Sequence, residues 1–253
     1  MSVFGDYSNY YDLLYADKNY AGESEYVHNL IKANLPKAKT ILNLGCGTGK
    51  HDLLLSKHDY KITGVDFSED MIKVAQQQSE LQKNNSVEFL KGDARTVRLD
   101  KKFDVVITLF HVMSYQTTNA DIDAVFVTAK EHLRDGGLLI FDCWYGPAVL
   151  SEQPSVRIKR LEDNKVKITR IAEPVMHINQ NIVDVNYELF IEDIQSEKVN
   201  KLAEKHSMRY LFLPEILSFT ERNGFKLILS EEWMTKNKLS DKSWSACFCS
   251  LKV

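Results

Sequence analysis

The feature that most constrains this chain is Ile41-Leu-Asn-Leu-Gly-Cys-Gly-Thr-Gly49, an apolar run that opens into a loop holding Gly45, Gly47 and Gly49. A strand ending in such a loop delivers backbone to a turn where side chains would block a ligand, and the helix that follows points its free N–H groups into the same space. A second apolar run, Lys61-Ile-Thr-Gly-Val-Asp66, ends on a carboxylate. In a doubly wound sheet the C-terminal strand ends carry the ligand-binding groups, and an acid there suits the hydroxyls of a ribose. The pairing points to a nucleotide-type pocket. Two phosphate motifs do not fit it. For G-x-x-x-x-G-K-[ST], Leu44 stands where the first glycine belongs and His51 follows Lys50; for G-x-G-x-x-G, the third glycine arrives one residue early, at Gly49.

With 253 residues, 44% hydrophobic and 26% charged, the chain suits one globular domain with an elaboration. A formal charge of -3 argues against nucleic acid or an anionic membrane as partner. No apolar run reaches the length of a membrane span. The start, Met1 to Tyr20, carries Asp6, Asp12 and Asp17 without a basic or apolar stretch, so it does not read as a signal peptide. Cys46, Cys143, Cys247 and Cys249 lack C-x-x-C spacing and read as buried, reduced thiols of a cytoplasmic protein. With no Cys or Asp partner at ligand spacing, no metal is expected.

From about residue 23 to 143 helix alternates with apolar strand, the pattern of a mainly parallel sheet with helices on both faces. Strands are predicted at Thr40 to Leu44, Lys61 to Val65, Val87 to Lys91, Phe103 to Phe110 and Gly137 to Asp142. Ser68 caps a helix whose buried face holds Met71, Val74, Ala75 and Leu81; the next helix, with Ile122, Val125, Phe126, Ala129 and Leu133, is closed by Asp135-Gly136-Gly137. The rhythm then changes. Val156 to Leu161, Lys165 to Glu173, Ile182 to Glu192 and Asn200 to Phe212 read as β segments without helices between them, an antiparallel insert. Pro214 opens a further helix that stops at Asn223-Gly224, and strands follow at Phe225 to Leu229 and Ser243 to Val253. The division is an N-terminal helical lid segment at 1–35, a core at 36–149 and 213–253, and the insert at 150–212, which supplies either an acceptor pocket or a homodimer interface.

Four ordered motifs carry a family resemblance: Asn-Leu-Gly-Cys-Gly-Thr-Gly at 43–49, Val-Asp-Phe-Ser at 65–68, Gly-Asp-Ala-Arg at 92–95 and Phe-Asp-Val-Val at 103–106. Together they resemble the class I S-adenosylmethionine-dependent methyltransferases over residues 36–143. The resemblance implies an α/β fold, a Rossmann-like doubly wound sheet of seven strands, mostly parallel with one reversed, here with the antiparallel β insert. It also implies S-adenosylmethionine as cofactor, S-adenosylhomocysteine as product, and a set of cofactor contacts. Gly45, Cys46, Gly47 and Gly49 would lie beside the methionine part, Asp66 on the ribose, Phe67 against adenine, Asp93 and Ala94 at the adenine edge, and Leu109 and the lid residue Tyr11 close by. Asn43 stands where the family often has an acid that holds the methionine amino group. An amide carbonyl can still accept that hydrogen bond, with a loss on the order of 1 kcal/mol for the missing charge. Asn43→Asp is therefore expected to be tolerated or to tighten binding.

Three further pieces are similar to a narrower group, the methyltransferases acting on amino groups of nucleotide-linked deoxyaminosugars: Tyr10-Tyr-Asp-Leu-Leu-Tyr15 as a lid, the insert itself, and the exit from it at His206 to Glu215. The chemistry asks mainly for an aligned lone pair and a dry site. His111, at the end of the fourth strand, is either a base or a wall of the pocket. Tyr11 is assigned to catalysis as a lid. Tyr15, Tyr115, Trp144 and Tyr145 suit an acceptor pocket whose aromatic faces favour a cation. Arg209 suits a phosphate or carboxylate of the acceptor; His206, three residues away on the same strand, must face the other side. The reading is methyl transfer to an amino or hydroxyl group of a small polar metabolite, best a nucleotide-linked aminosugar. The alternatives are a methyltransferase for another small molecule and a cofactor-binding protein without turnover.

Overall fold

The computed structural model describes residues 8–253. Residues 1–7 of the lid segment, Asp6 among them, lie outside the described residues. In chain order the first elements are α1 (Ser8–Leu14), α2 (Tyr20–Asn34), β1 (Thr40–Leu44), α3 (Lys50–Leu55), β2 (Lys61–Asp66), α4 (Glu69–Leu81), β3 (Val87–Lys91), β4 (Phe103–Thr108), α5 (Asn119–His132), β5 (Leu133–Tyr145) and α6 (Gly146–Ser151). There follow β6 (Arg157–Glu162), β7 (Val166–His177), β8 (Ile182–Asp193), β9 (Val199–Leu211), α7 (Leu213–Arg222), β10 (Phe225–Glu232) and β11 (Ser245–Lys252).

Strands β3-β2-β1-β4-β5 lie side by side in that order, all parallel. The other edge of β5 takes β11 in reverse, and β10 pairs antiparallel with β11. The inner strands β1, β4, β5 and β11 are largely buried on both faces because both faces are covered, whereas the edge strand β3 is mostly exposed. Leu42, Leu44, Val106 and Phe141 pack under Phe126 of α5 and Phe219 of α7; Ile41, Val105, Ile107 and Ile140 pack under Val27, Leu30 and Ile31 of α2.

Three local expectations need correction. Leu81 is 78% exposed, whereas Ile72 and Ser79 join Met71 and Ala75 on the buried side of α4. At about 100° per residue, Leu81 falls diametrically opposite Ile72. Asp135-Gly136-Gly137 do not close α5, which ends at His132; they form the bulge where β4–β5 pairing jumps from Phe103↔Leu133 to Val105↔Leu138. Gly136, at φ +71°, supplies the left-handed residue there. Finally, β4 stops at Thr108 rather than Phe110, because Phe110 (φ +63°) and His111 (φ +64°) both turn left-handed and carry the chain out of the sheet.

That early exit shapes the site. Strands β6 to β9 form an antiparallel meander, and β9 takes up the edge of β5 beyond the end of β4, pairing parallel at Trp144↔Tyr210 and Tyr145↔Leu211. The expected seven-stranded sheet is thereby extended to eleven hydrogen-bonded strands. Helix α1 lies across the junction: Tyr11 and Leu14 pack with Met71 of α4 and with Ile168, Leu189 and Ile191 of the meander. Among the described residues no helix is long and apolar enough to cross a membrane.

Candidate functional site

The glycine loop folds back over the end of β2. Gly45 N and Cys46 N donate to Val65 O at 2.7 and 3.0 Å, while Asp66 Oδ2 accepts from Gly47 N at 2.8 Å and its Oδ1 from Ser68 N at 2.9 Å. Asp66 thus ties the loop to the start of α4. Burial pushes its carboxyl above the usual range against the pull of these N–H groups. The three glycines differ in what they are for. A Cβ on Gly45 would lie 2.4 Å from Val112 and one on Gly49 2.4 Å from Phe89, whereas a Cβ on Gly47 would meet nothing within 4 Å. All three have positive φ, at 91°, 56° and 75° in chain order. Gly45 and Gly49 are therefore required by the protein's own packing, and only Gly47 borders open space.

Beyond the loop, Phe67 stands 63% exposed at the end of β2. Asp93 is committed to Arg95, accepting from its backbone N at 2.9 Å and from Nη2 at 2.6 Å; this guanidinium beside it holds the carboxyl below the usual range, with burial pulling the other way. Ala94 packs against the core, and Leu109 and Cys46 are buried. Burial pushes the Cys46 thiol up, and all four cysteines are free and buried.

Asn43 faces an acid of this chain. Its Nδ2 donates to Asp52 Oδ1 at 2.7 Å, with both residues buried. Asn43→Asp, expected to be tolerated or to tighten binding, would set a second carboxylate against Asp52, the two then sharing one proton.

His111 sits on the left-handed turn after β4. Its Nδ1 lies 2.7 Å from Asp142 Oδ2, and its backbone N donates to the same carboxylate at 3.1 Å. Asp142 is buried on β5, and Ser245 Oγ reaches it at 3.5 Å. Nδ1 faces this carboxylate at ion-pair distance without the alignment of a hydrogen bond, and Nε2 is the ring nitrogen outside that contact. Two consecutive left-handed non-glycine residues are sparsely populated backbone, held here by the Asp142 carboxylate.

From His111 a continuous ring of side chains runs across to the meander. Phe110 lies tilted beside His111 at 5.6 Å and meets Tyr15 edge-on at 5.2 Å; Tyr15 also lies 4.7 Å from Tyr11. The Arg170 guanidinium on β7 lies 5.8 Å from the Tyr15 ring and 5.2 Å from that of Tyr187 on β8. Tyr187 meets His206 on β9 at 4.9 Å, and His206 Nδ1 is 2.8 Å from Tyr115 Oη, four residues from His111. Glu204 Oε2 holds His206 Nε2 at 3.0 Å. Trp144 flanks His111 edge-on at 6.3 Å, whereas Tyr145 is buried in the core.

Arg209 stands apart from this ring. It is buried, donates to Glu215 Oε1 at 2.8 Å and packs over Phe219 of α7. The odd spacing from His206 puts it on the opposite face of β9, so the expected acceptor contact is withdrawn. Sequence reasoning missed Arg170, Tyr187 and Glu204, whose role depends on the meander's register, and it missed Asp52 and Asp142. A signal existed for Asp142, a carboxylate closing a predicted apolar strand. Among the described residues no cluster of three or more His, Cys, Asp or Glu is arranged to hold a metal.

Residues 41–137 match the methyltransferase domain family. A putative methyltransferase of Bacillus subtilis is 30% identical over 226 residues, 89% of this chain and 87% of that one. The dTDP-3-amino-3,4,6-trideoxy-alpha-D-glucopyranose N,N-dimethyltransferase of Streptomyces venezuelae is 28% identical over 72% of this chain and 75% of its own. In fold, a solved S-adenosylmethionine-dependent methyltransferase from Clostridium acetobutylicum superimposes with a TM-score of 0.83 at 19% identity, over 98% of this chain and 97% of that one. Motifs, strand order and relatives agree: the chain belongs to the methyltransferases, and its fold is that of the solved S-adenosylmethionine-dependent enzyme.

Proposed function

We propose that this enzyme transfers a methyl group from S-adenosylmethionine to the amino group of a nucleotide-linked aminosugar. The observation that carries the acceptor side is the ring of side chains that joins His111 to the inner face of the meander. Similarity to the Streptomyces venezuelae dTDP-aminosugar dimethyltransferase supports the choice of acceptor.

The residues present fit the cofactor. Gly47 borders open space at the loop, Phe67 offers an exposed ring beside Asp66, and Asn43 Oδ1 is a buried acceptor without a partner. We assign the methionine part to the loop at Asn43, Gly45, Cys46, Gly47 and Gly49, the ribose to Asp66, and adenine to Phe67 with the Asp93–Ala94 turn at its edge. Leu109 floors the site and Tyr11 covers it. When bound, S-adenosylmethionine supplies a sulfonium-activated methyl, so an acceptor lone pair held in line needs no further electrophile.

The chain's own residues then have three tasks. His111 Nε2 takes the proton of the acceptor amine, with the Asp142 carboxylate holding the backbone turn that presents the ring. Tyr15, Tyr115 and Trp144 wall the acceptor, their faces favouring a cationic amine, and α1 with the meander excludes water. Arg170 takes the role first given to Arg209, facing the phosphates of the acceptor. We further assign the enzyme to the cytoplasm, in keeping with its free thiols, and the meander's outer face to a homodimer contact that sedimentation velocity tests.

The test is methyl transfer from labelled S-adenosylmethionine to a panel of nucleotide-linked aminosugars, with amino acids, phenols and bulk RNA for comparison. Selective labelling of an aminosugar is the expected result. Labelling of another acceptor class contradicts the substrate, and tight cofactor binding with no transfer to any acceptor contradicts the reaction.

A further inference from the structure

The glycine loop hides an acid that the reading above leaves unused. Asp52, on α3, is fully buried, and Asn43, on β1, is 1% exposed. One hydrogen bond joins them, from Asn43 Nδ2 to Asp52 Oδ1 at 2.7 Å. It leaves Asn43 Oδ1 and Asp52 Oδ2 buried with no partner. Both orphans are acceptors while Asp52 is ionised. A single proton on Asp52 Oδ2 makes it a donor, and an acid facing an amide can then close a two-bond ring in which both orphans are satisfied.

The surroundings favour that proton. Asp52 Oδ2 is admitted by the absence of a side chain on Gly64, whose Cβ would lie 2.6 Å from it, and the ring of Phe89 borders the same spot. The titratable groups facing Asp52 from neighbouring elements are the Asp66 carboxylate and the Cys46 thiol, and neither is a cation. On its own helix, His51 is turned away to Glu23 at 2.7 Å and Lys50 to the ring of Tyr20. Burial is the main cause that lifts the Asp52 carboxyl; the Asn43 hydrogen bond opposes it, Asp66 adds to it, and the result is about 7.

We propose that Asp52 holds a proton in the free protein and releases it when the ammonium of S-adenosylmethionine takes Asn43 Oδ1 as acceptor, so that Asp52 supplies the negative charge behind that contact. The inference rests on the assignment of the methionine part to this loop. One bond breaks, the Asp52 O–H: its proton leaves Oδ2 for solvent, its electron pair stays on the carboxylate, and Asn43 Oδ1 exchanges an O–H donor for an N–H donor. Asp52 is a positioning residue, acting on the ligand through Asn43.

The experiment is calorimetric titration with S-adenosylhomocysteine, which keeps the ammonium, between pH 5.5 and 8 in buffers of different ionisation heat. Wild-type affinity is expected to rise about tenfold per pH unit below about 7 and then level, with close to one proton released at the acid end. Methylthioadenosine, which lacks the amino acid end, should bind with no such slope. Asp52→Asn, checked for folding by its melting temperature, should lose both the slope and the proton release and bind roughly tenfold more weakly at pH 8. Wild-type affinity that is flat with pH and releases no proton overturns the proposal and leaves the cofactor reading standing. Absence of S-adenosylhomocysteine binding at every pH overturns both.

Discussion

The motif half of the site and the meander half are built on different principles. Around β1, β2 and the glycine loop, groups are held by main-chain contacts over short stretches: Asp66 by the N–H groups of Gly47 and Ser68, the loop by Val65 O. Across the meander, groups are held by side chains from distant parts of the chain, with Tyr15, Phe110, Arg170, Tyr187 and His206 meeting ring to ring. A backbone-built site tolerates little change and suits an invariant ligand. A side-chain-built site can be re-lined without refolding the sheet, which suits acceptors that differ from one relative to the next.

The largest expected effect breaks the motif half directly. Gly49→Ala adds a Cβ 2.4 Å from Phe89 at a positive φ and should cost about 3 kcal/mol of stability, whereas Gly47→Ala, with no neighbour to strike, should cost about 1 kcal/mol. Thermal melts of the two variants decide this; equal losses contradict the distinction between a packing glycine and one that borders the site. Next, Asp66→Ala should lose roughly 1.5 to 3 kcal/mol of cofactor affinity by calorimetry, since it removes hydrogen bonds to a charged group. Unchanged affinity in a folded variant removes Asp66 from the cofactor site.

A comparable effect is expected from the clamp that ties α2 to α3. Burial would raise the Glu23 carboxyl, but His51 and Lys18 outweigh it and bring it down to about 2 from 4.5. A carboxyl lowered on folding stabilises the protein fully above pH 4.5 and loses that contribution as pH falls toward 2. Glu23→Gln should therefore cost roughly 2 to 3 kcal/mol at neutral pH and narrow the gap to wild type in acid, as read from denaturant melts at several pH values. A gap that does not change with pH contradicts the ion-pair assignment. The smallest effect belongs to the meander. Arg170→Met should raise the acceptor KM about tenfold, a little over 1 kcal/mol, with cofactor affinity unmoved. A matching loss of cofactor affinity would merge the two halves into one.

What could be read from the sequence follows the same division. The glycine loop, Asp66, the Ser68 cap and Pro214 at the start of α7 all lie in signals only a few residues long, and local physics fixes them. Leu109-Phe110 is apolar enough for a strand, so sequence pattern carries β4 too far; the turn is held by Asp142, a residue of the next strand. Strand alternation separates Arg209 from His206 without naming which face is inner, so the pattern alone cannot place Arg209 outside the site. Arg170 gains its place only once β7, β8 and β9 are in register, with Arg170 opposite Leu189 and Tyr187 opposite Glu204. Asp52 escaped notice because it lies on a helix, nine residues from the amide it meets.

The most direct test of a two-part site is a crystal structure with S-adenosylhomocysteine and thymidine diphosphate bound together. The expected result has the ribose of the first on Asp66 with its adenine against Phe67, and the phosphates of the second facing Arg170 inside the ring of Tyr15, Tyr187 and His206. A diphosphate bound outside that ring, with Arg170 left in its present contacts, would contradict the assignment of the meander's inner face to the acceptor.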